Sequence, residues 1–216
     1  MSKCICIMGE SGSGKTTAMR TLDPATTLYI DCDGKGLSWK GWRNQYNKDN
    51  KNYIRTDDQN TIITCLKACE TNSGYKHIKV VVIDTINSVM VADERRRRDE
   101  KSYDKWSDLA WAVYDIVTNA SKLRDDLSII LLAHTQTEVD DTTGERFTRI
   151  LTNGKKLNKI GLEKYLTTVL ISKQIDGNYV LVTRDPYSTC KAPMGAFETE
   201  TVPNDISIVL KALEEF

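Results

Sequence analysis

A three-layer α/β domain, with a mostly parallel sheet that ends in antiparallel strands, is predicted by three features of the sequence. Apolar strand-like runs alternate with helix-period segments up to residue 133, the order that builds a parallel sheet with helices on its faces. A glycine-rich turn joins the first run, Cys4-Ile5-Cys6-Ile7-Met8, to the first helix. Beyond residue 165, two strand-like runs, Leu166 to Ser172 and Tyr179 to Thr183, are separated by Asp176-Gly177-Asn178, a hairpin signal.

In chain order, the first helix is expected from Lys15 to Leu22 and the second strand at Thr27-Leu28-Tyr29-Ile30-Asp31. The spacing of Ile62, Ile63, Leu66 and Cys69 predicts a helix, and Lys79-Val80-Val81-Val82-Ile83-Asp84 reads as a buried parallel strand. A longer helix follows from Trp106, Leu109, Ala110, Val113, Ile116, Val117, Ala120 and Leu123, then the apolar strand Ile129 to Ala133. The last helix carries Ile206, Val209, Leu210 and Leu213 on one side, behind a cap at Asn204 or Asp205.

With 216 residues the chain suits one such domain, residues 1–216, and not two. Lys plus Arg and Asp plus Glu both number 30, so no global field draws nucleic acid or an acidic membrane, and any basic surface is local. No apolar stretch approaches a membrane span and no charged leader precedes the first strand, which predicts a cytoplasmic protein without a membrane partner. The six cysteines show no CxxC or Cys/His cluster, so they read as reduced core or surface thiols.

The turn itself, Gly9-Glu10-Ser11-Gly12-Ser13-Gly14-Lys15-Thr16-Thr17, fits GxxxxGK[ST] between a strand and a helix. Its glycines let successive backbone N–H groups point inward at phosphates, Lys15 reaches the β and γ phosphates, and the Thr16 hydroxyl meets magnesium. ATP and magnesium are the expected cofactors. Asp84, at the C-terminal end of an apolar strand, supplies the carboxylate that supports the metal. Thr85 follows where many ATPases place a water-activating glutamate, so a base must come from elsewhere. Asp33, at the end of the second strand, is the candidate for orienting water; Asp31 and Asp33 equally suit a plain turn ahead of Gly34 and Gly36.

In the order of these parts the chain resembles the RecA-type recombinase core, and within it the short core-only ATPases that bacteriophages encode for single-strand annealing and recombination. Ile30-Asp31-Cys32-Asp33 is similar to that family's Ile-Asp-x-Glu pattern with aspartate substituted, and Val82-Ile83-Asp84-Thr85-Ile86-Asn87-Ser88-Val89 to its second nucleotide motif. The resemblance implies a polar γ-phosphate sensor in His134-Thr135-Gln136, with His134 favoured over Gln136. It also implies a mobile loop for single-stranded DNA at Thr137 to Gly154, a polar stretch without helix or strand periodicity. Arg146, Phe147 and Arg149 within it, and Lys155, Lys156 and Lys159 after it, would bind phosphates and stack on a base. The run Arg95-Arg96-Arg97-Arg98 falls near the family's other DNA loop, but its acidic flanks also suit a solvated helix face.

Thr189-Cys190-Lys191-Ala192-Pro193-Met194-Gly195-Ala196-Phe197-Glu198 resembles the segment from which a lysine in that family reaches a neighbouring subunit's ATP. Lys191, with Arg184 second, is thus the candidate trans-acting cation, and a homo-oligomeric ring or filament is the implied assembly. Two other readings share the loop. One is a nucleotide kinase-like phosphotransferase using the arginine run as a lid, and the other is a non-hydrolysing assembly or loading module in which ATP only sets the oligomeric state. GTP is disfavoured because Asn47-Lys48-Asp49 does not complete an NKxD signature. Trp39 and Trp42 could be core, interface or a stacking surface.

Overall fold

Hydrophobic alternation along the strands decides how the layers form. In β1 (Lys3–Gly9), Cys4, Cys6 and Met8 face one side of the sheet while Ile5 and Ile7 face the other, as the two-residue repeat of a strand requires. The computed structural model describes residues 2–101, 104–139, 141–152 and 160–216. β1 lies inside the sheet, parallel to both β5 (Ser128–Val139) and β7 (Thr168–Ile175). β2 (Thr27–Asp31), β3 (Tyr53–Arg55) and β4 (Val80–Asp84) complete the parallel part, and the order is β3-β2-β4-β5-β1-β7-β8-β9. β8 (Asn178–Val182) and β9 (Thr201–Pro203) are antiparallel, as the Asp176-Gly177-Asn178 turn predicts.

The Cys4 face is covered by α3 (Gln59–Thr71), α4 (Ile86–Arg96) and α5 (Asp104–Ala120), whose Ile62, Leu66, Val89, Val113, Ile116 and Val117 are buried against the strands. Opposite, α1 (Lys15–Ala18) and α6 (Ile206–Ala212) bury Ala18, Ile206 and Val209 against Ile5, Ile7, Val82 and Leu132. Trp39 and the Trp42 of α2 (Trp42–Gln45) pack partly buried in this second cluster, edge-on or tilted to Tyr46 and Tyr53. Both tryptophans thus pack one side against the core and stay partly exposed. The six cysteines are free thiols, and burial pushes the Cys4 thiol up to about 12, which leaves it protonated and unreactive.

Two expectations are revised and one alternative is resolved. The first helix is a single α-turn followed by a 3-10 turn, Met19–Thr21, because Leu22 is already extended ahead of Pro24. At the last helix Asp205 provides the cap, accepting from the Ser207 N–H at 2.9 Å, while Asn204 turns to the phosphate loop. The largest revision concerns Thr137 to Gly154, expected to be a loop without strand structure. β5 instead runs on to Val139 and pairs antiparallel with β6 (Arg146–Ile150). Its register is held by backbone bonds, so the polar side chains leave no apolar alternation to read. Arg146, Phe147 and Arg149 thus stand on a strand. Lys155, Lys156 and Lys159 lie outside the described residues.

Candidate nucleotide-binding site

Parallel register brings the site together at one edge of the sheet. Gly9 aligns with His134 across β1 and β5, and Asp31 with Asp84 across β2 and β4, so the chemistry gathers at the C-terminal ends of the strands. The loop that leaves β1 turns at Gly12 and Gly14, with φ of 78° and 97°. A Cβ on Gly14 would meet Asn204 Nδ2 at 2.7 Å, and one on Gly9 would meet the Ser172 carbonyl at 2.6 Å. Glycine is therefore needed at Gly14 for its dihedral and at both positions for the close approach of β7 and the C-terminal segment. Ser172 Oγ donates to the Ser13 carbonyl at 2.6 Å and Asn204 Nδ2 to the Gly14 carbonyl at 3.0 Å, buttressing the loop from behind.

Lys15 is buried, and its Nζ donates to the Gly9 and Glu10 carbonyls at 2.8 and 2.7 Å. These bonds curl the loop around the ammonium and hold it where phosphate oxygens can replace the carbonyls. Burial lowers the Lys15 pKa to about 8, with the Asp84 charge opposing. Polyphosphate affinity should accordingly fall as pH rises through this value, by about fivefold between pH 8 and pH 9, as titration calorimetry at the two values would measure. An affinity flat across that interval would show that the lysine charge is not used.

Asp84 is almost wholly buried and accepts from three hydroxyls: Thr16 at 2.9 Å and Tyr29 at 2.7 Å on Oδ2, and Thr85 at 2.7 Å on Oδ1. Burial raises its pKa above the ordinary carboxylate range, although the bonds from Tyr29, Thr85 and Thr16 work the other way. A carboxylate and a hydroxyl on one point are hard oxygen donors of the kind magnesium takes while it keeps waters and phosphate oxygens. Thr16 and Asp84 are therefore fit to hold that ion. Thr17 borders the same cleft as Lys15, Thr16 and Asp84, its hydroxyl 2.9 Å from that of Ser38.

Asp31 and Asp33 divide between the two meanings left open by their spacing. Asp31 is buried and caps the turn, accepting from the Gly34 and Gly36 N–H groups at 2.8 and 3.0 Å and from the Tyr53 hydroxyl. Asp33 borders the cleft, but Lys35 Nζ sits 2.8 Å from it. Burial acts to raise the Asp33 pKa, yet the bonds from Lys35 outweigh it and hold the carboxyl below its ordinary range. Such a group can orient water but is a weak base. His134 borders the same cleft, half-buried; burial, then the Lys15 charge, lowers its pKa, so it stands as neutral imidazole at pH 7. Gln136, two residues further along β5, donates to Glu138 at 3.1 Å and does not line the cleft.

The cleft holds about 420 Å³, bordered by Ser11, Gly12, Gly14, Lys15, Thr16, Thr17, Asp33, Lys35, Asp84, His134 and Tyr179 among others, within the ~300–1,000 Å³ usual for small-molecule sites. Gly9, Glu10 and Ser13 line the opposite side of the loop. Lys191 is not in the cleft of its own chain; its backbone bridges Val169 at 2.9 and 2.8 Å. Arg184 donates to the Phe197 carbonyl at 3.0 Å. In the arginine run, Arg96 pairs with Asp57, Arg97 with Glu100 and Asp108, and Arg98 with Asp99, so most of it already has acidic partners. On β6, Arg149 lies over the Phe147 ring at 5.5 Å and 3.8 Å from Glu138. Lys35, Tyr29 and Tyr179 were not singled out by sequence reasoning. Only Tyr29 carried a signal, since strand alternation puts it on the same face as Asp31.

A glycine-rich loop wrapped around a buried lysine, with a hydroxyl and a strand-end carboxylate beside it, defines a P-loop nucleotide-binding domain of the ATPase type. A family model described as an AAA domain matches residues 1–189, most of the chain, and the chain belongs to that family. Comparison with curated proteins gives no match. Among the described residues, no helix is long and apolar enough to cross a membrane.

Proposed function

We propose that this chain is an ATP- and magnesium-binding, ATP-hydrolysing RecA-like protein that assembles head to tail in a cytoplasm and acts on single-stranded DNA in recombination or annealing. The observation that supports it best is the convergence of Lys15, Thr16, Asp84 and His134 on one cleft, with His134 on the strand that continues into the β5–β6 hairpin. In this reading Lys15 and the backbone of residues 9–17 hold the phosphates, Thr16 and Asp84 hold magnesium, Asp33 orients water and His134 meets the γ-phosphate. DNA contact is assigned to Arg146, Phe147, Arg149, Lys155, Lys156 and Lys159. The segment Thr137 to Ile150 carries four carboxylates against two arginines, so the lysines after it would supply most of the attraction.

A second reading is supported by the Asp33–Lys35 pair and by Thr85 in place of glutamate: ATP sets the oligomeric state and turns over slowly or not at all. The phosphotransferase reading is the less favoured, because Arg96, Arg97 and Arg98 of the run that would form its lid already pair with acidic residues.

Steady-state hydrolysis with magnesium, with and without single-stranded DNA and across protein concentrations, tests these readings. Stimulation by the strand that rises more than linearly with protein is the expected result; turnover linear in protein and indifferent to DNA would overturn it. Because Lys191 lies outside its own cleft, Lys191→Ala is expected to lower turnover about tenfold or more while monomer ATP affinity stays within about twofold. An equal loss of monomer affinity would remove Lys191 from a trans role.

A further inference from the structure

Asn87 stands in the first turn of α4, three residues beyond Asp84, and is only 6% exposed. Its side chain makes two partly buried contacts that point in opposite directions. Oδ1 accepts from the His134 N–H at 2.7 Å, and Nδ2 donates to the Leu151 carbonyl at 2.6 Å. The Leu151 N–H in turn donates to the His134 carbonyl at 2.7 Å. The three residues close a ring of hydrogen bonds linking the start of α4, the strand at the cleft and the base of the hairpin. One residue earlier, the Ile150 N–H donates to Glu163 Oε1 at 2.9 Å, so this base is also anchored from the far side.

Only a primary amide meets the demands of this position. It needs an acceptor for one backbone N–H and a donor for one backbone carbonyl, and asparagine carries both at the required reach. Because a donor faces Oδ1 and an acceptor faces Nδ2, the network itself fixes which way the amide points. Aspartate would keep the bond from His134 but set a carboxylate against the Leu151 carbonyl. Serine is too short to span both.

We infer that Asn87 is a positioning residue that couples the phosphate end of the cleft to the β5–β6 hairpin through the His134 and Leu151 backbones. This rests on the nucleotide-site reading above. Magnesium held by Thr16 and Asp84 would draw on the carboxylate that here accepts from three hydroxyls, and α4 begins two residues beyond that carboxylate. Through the ring, any shift of that helix start or of His134 moves the base of the hairpin. Coupling of this kind is reciprocal, so a ligand on the hairpin would alter nucleotide affinity by the same factor.

Hydrogen exchange on the full chain, free and with magnesium and adenylyl imidodiphosphate, tests the inference, with peptides covering Thr148 to Leu151 as the readout and calorimetry giving the affinity. The wild type should bind the analogue and change exchange at the hairpin base by about fivefold, the size of one buried hydrogen bond. Asn87→Ser and Asn87→Asp should keep analogue affinity within about threefold and lose that nucleotide-dependent difference. A merely structural role would speed exchange in both states and leave the difference intact, which would overturn the inference. So would a wild type that binds the analogue without any response at the hairpin, or a folded variant that no longer binds it, since Asn87 would then belong to the site itself. Failure of the wild type to bind the analogue overturns the nucleotide reading and this inference with it.

Discussion

Asp84→Asn is expected to raise the melting temperature of the nucleotide-free protein while cutting magnesium-dependent turnover by roughly a hundredfold or more. The carboxyl is almost completely buried, and burial raises its pKa despite three hydroxyl donors. A carboxyl whose folded pKa exceeds its unfolded value contributes stability at pH below the unfolded pKa, and that contribution is lost as pH rises through the folded pKa. At pH 7 the buried charge is therefore a net cost to the empty site. The amide removes this cost and keeps the contacts: its oxygen accepts from Thr16 and Tyr29, and the Thr85 hydroxyl can rotate to accept from its nitrogen. The gain should be roughly 2–4 °C for each kcal/mol relieved, and should shrink as pH falls toward 4. Magnesium with nucleotide should reverse the order, since in the proposed site only the wild-type carboxylate would hold the ion and gain stability from it. Calorimetric scans with and without magnesium nucleotide check both halves. A lower melting temperature would mean that the hydroxyl bonds outweigh burial, and undiminished turnover would take Asp84 out of the metal site.

Lys15→Ala should weaken ATP binding by about two orders of magnitude, roughly the 3 kcal/mol that two charge-assisted bonds contribute, and should abolish turnover. The ammonium already holds the loop closed through the Gly9 and Glu10 carbonyls, so alanine removes both the phosphate contact and part of the loop's preorganisation. Calorimetric titration of the variant with ATP and magnesium measures the loss. Affinity within threefold of the wild type would displace the site assignment altogether.

Those two residues were legible in the sequence because their surroundings are local. The phosphate loop needs glycines where the backbone takes positive φ or approaches a neighbour, and a Lys-Thr pair directly after them, so its whole geometry is written within nine consecutive residues. β1, β4 and the first half of β5 were legible because strands buried on both faces admit almost nothing but apolar side chains. The second half of β5 and all of β6 were not, because a polar hairpin off the main sheet is held by backbone bonds and by Asn87 and Glu163 arriving from elsewhere in the chain. The meaning of Asp33 was equally hidden. Its partner Lys35 is two residues away, but spacing alone does not say whether that lysine turns back onto the carboxylate or out to solvent.

The sequence by itself determined a parallel α/β sheet with an antiparallel end, a phosphate loop around Lys15, and a strand-end carboxylate at Asp84, since each follows from the residue types of one short segment. Only the tertiary structure decided that Asp31 caps a turn while Asp33 borders the cleft, that His134 rather than Gln136 borders it, and that Asn87 joins the cleft to the hairpin. A buried polar group must find a partner, and which partner is within reach depends on the order in which the strands lie side by side, not on their order along the chain.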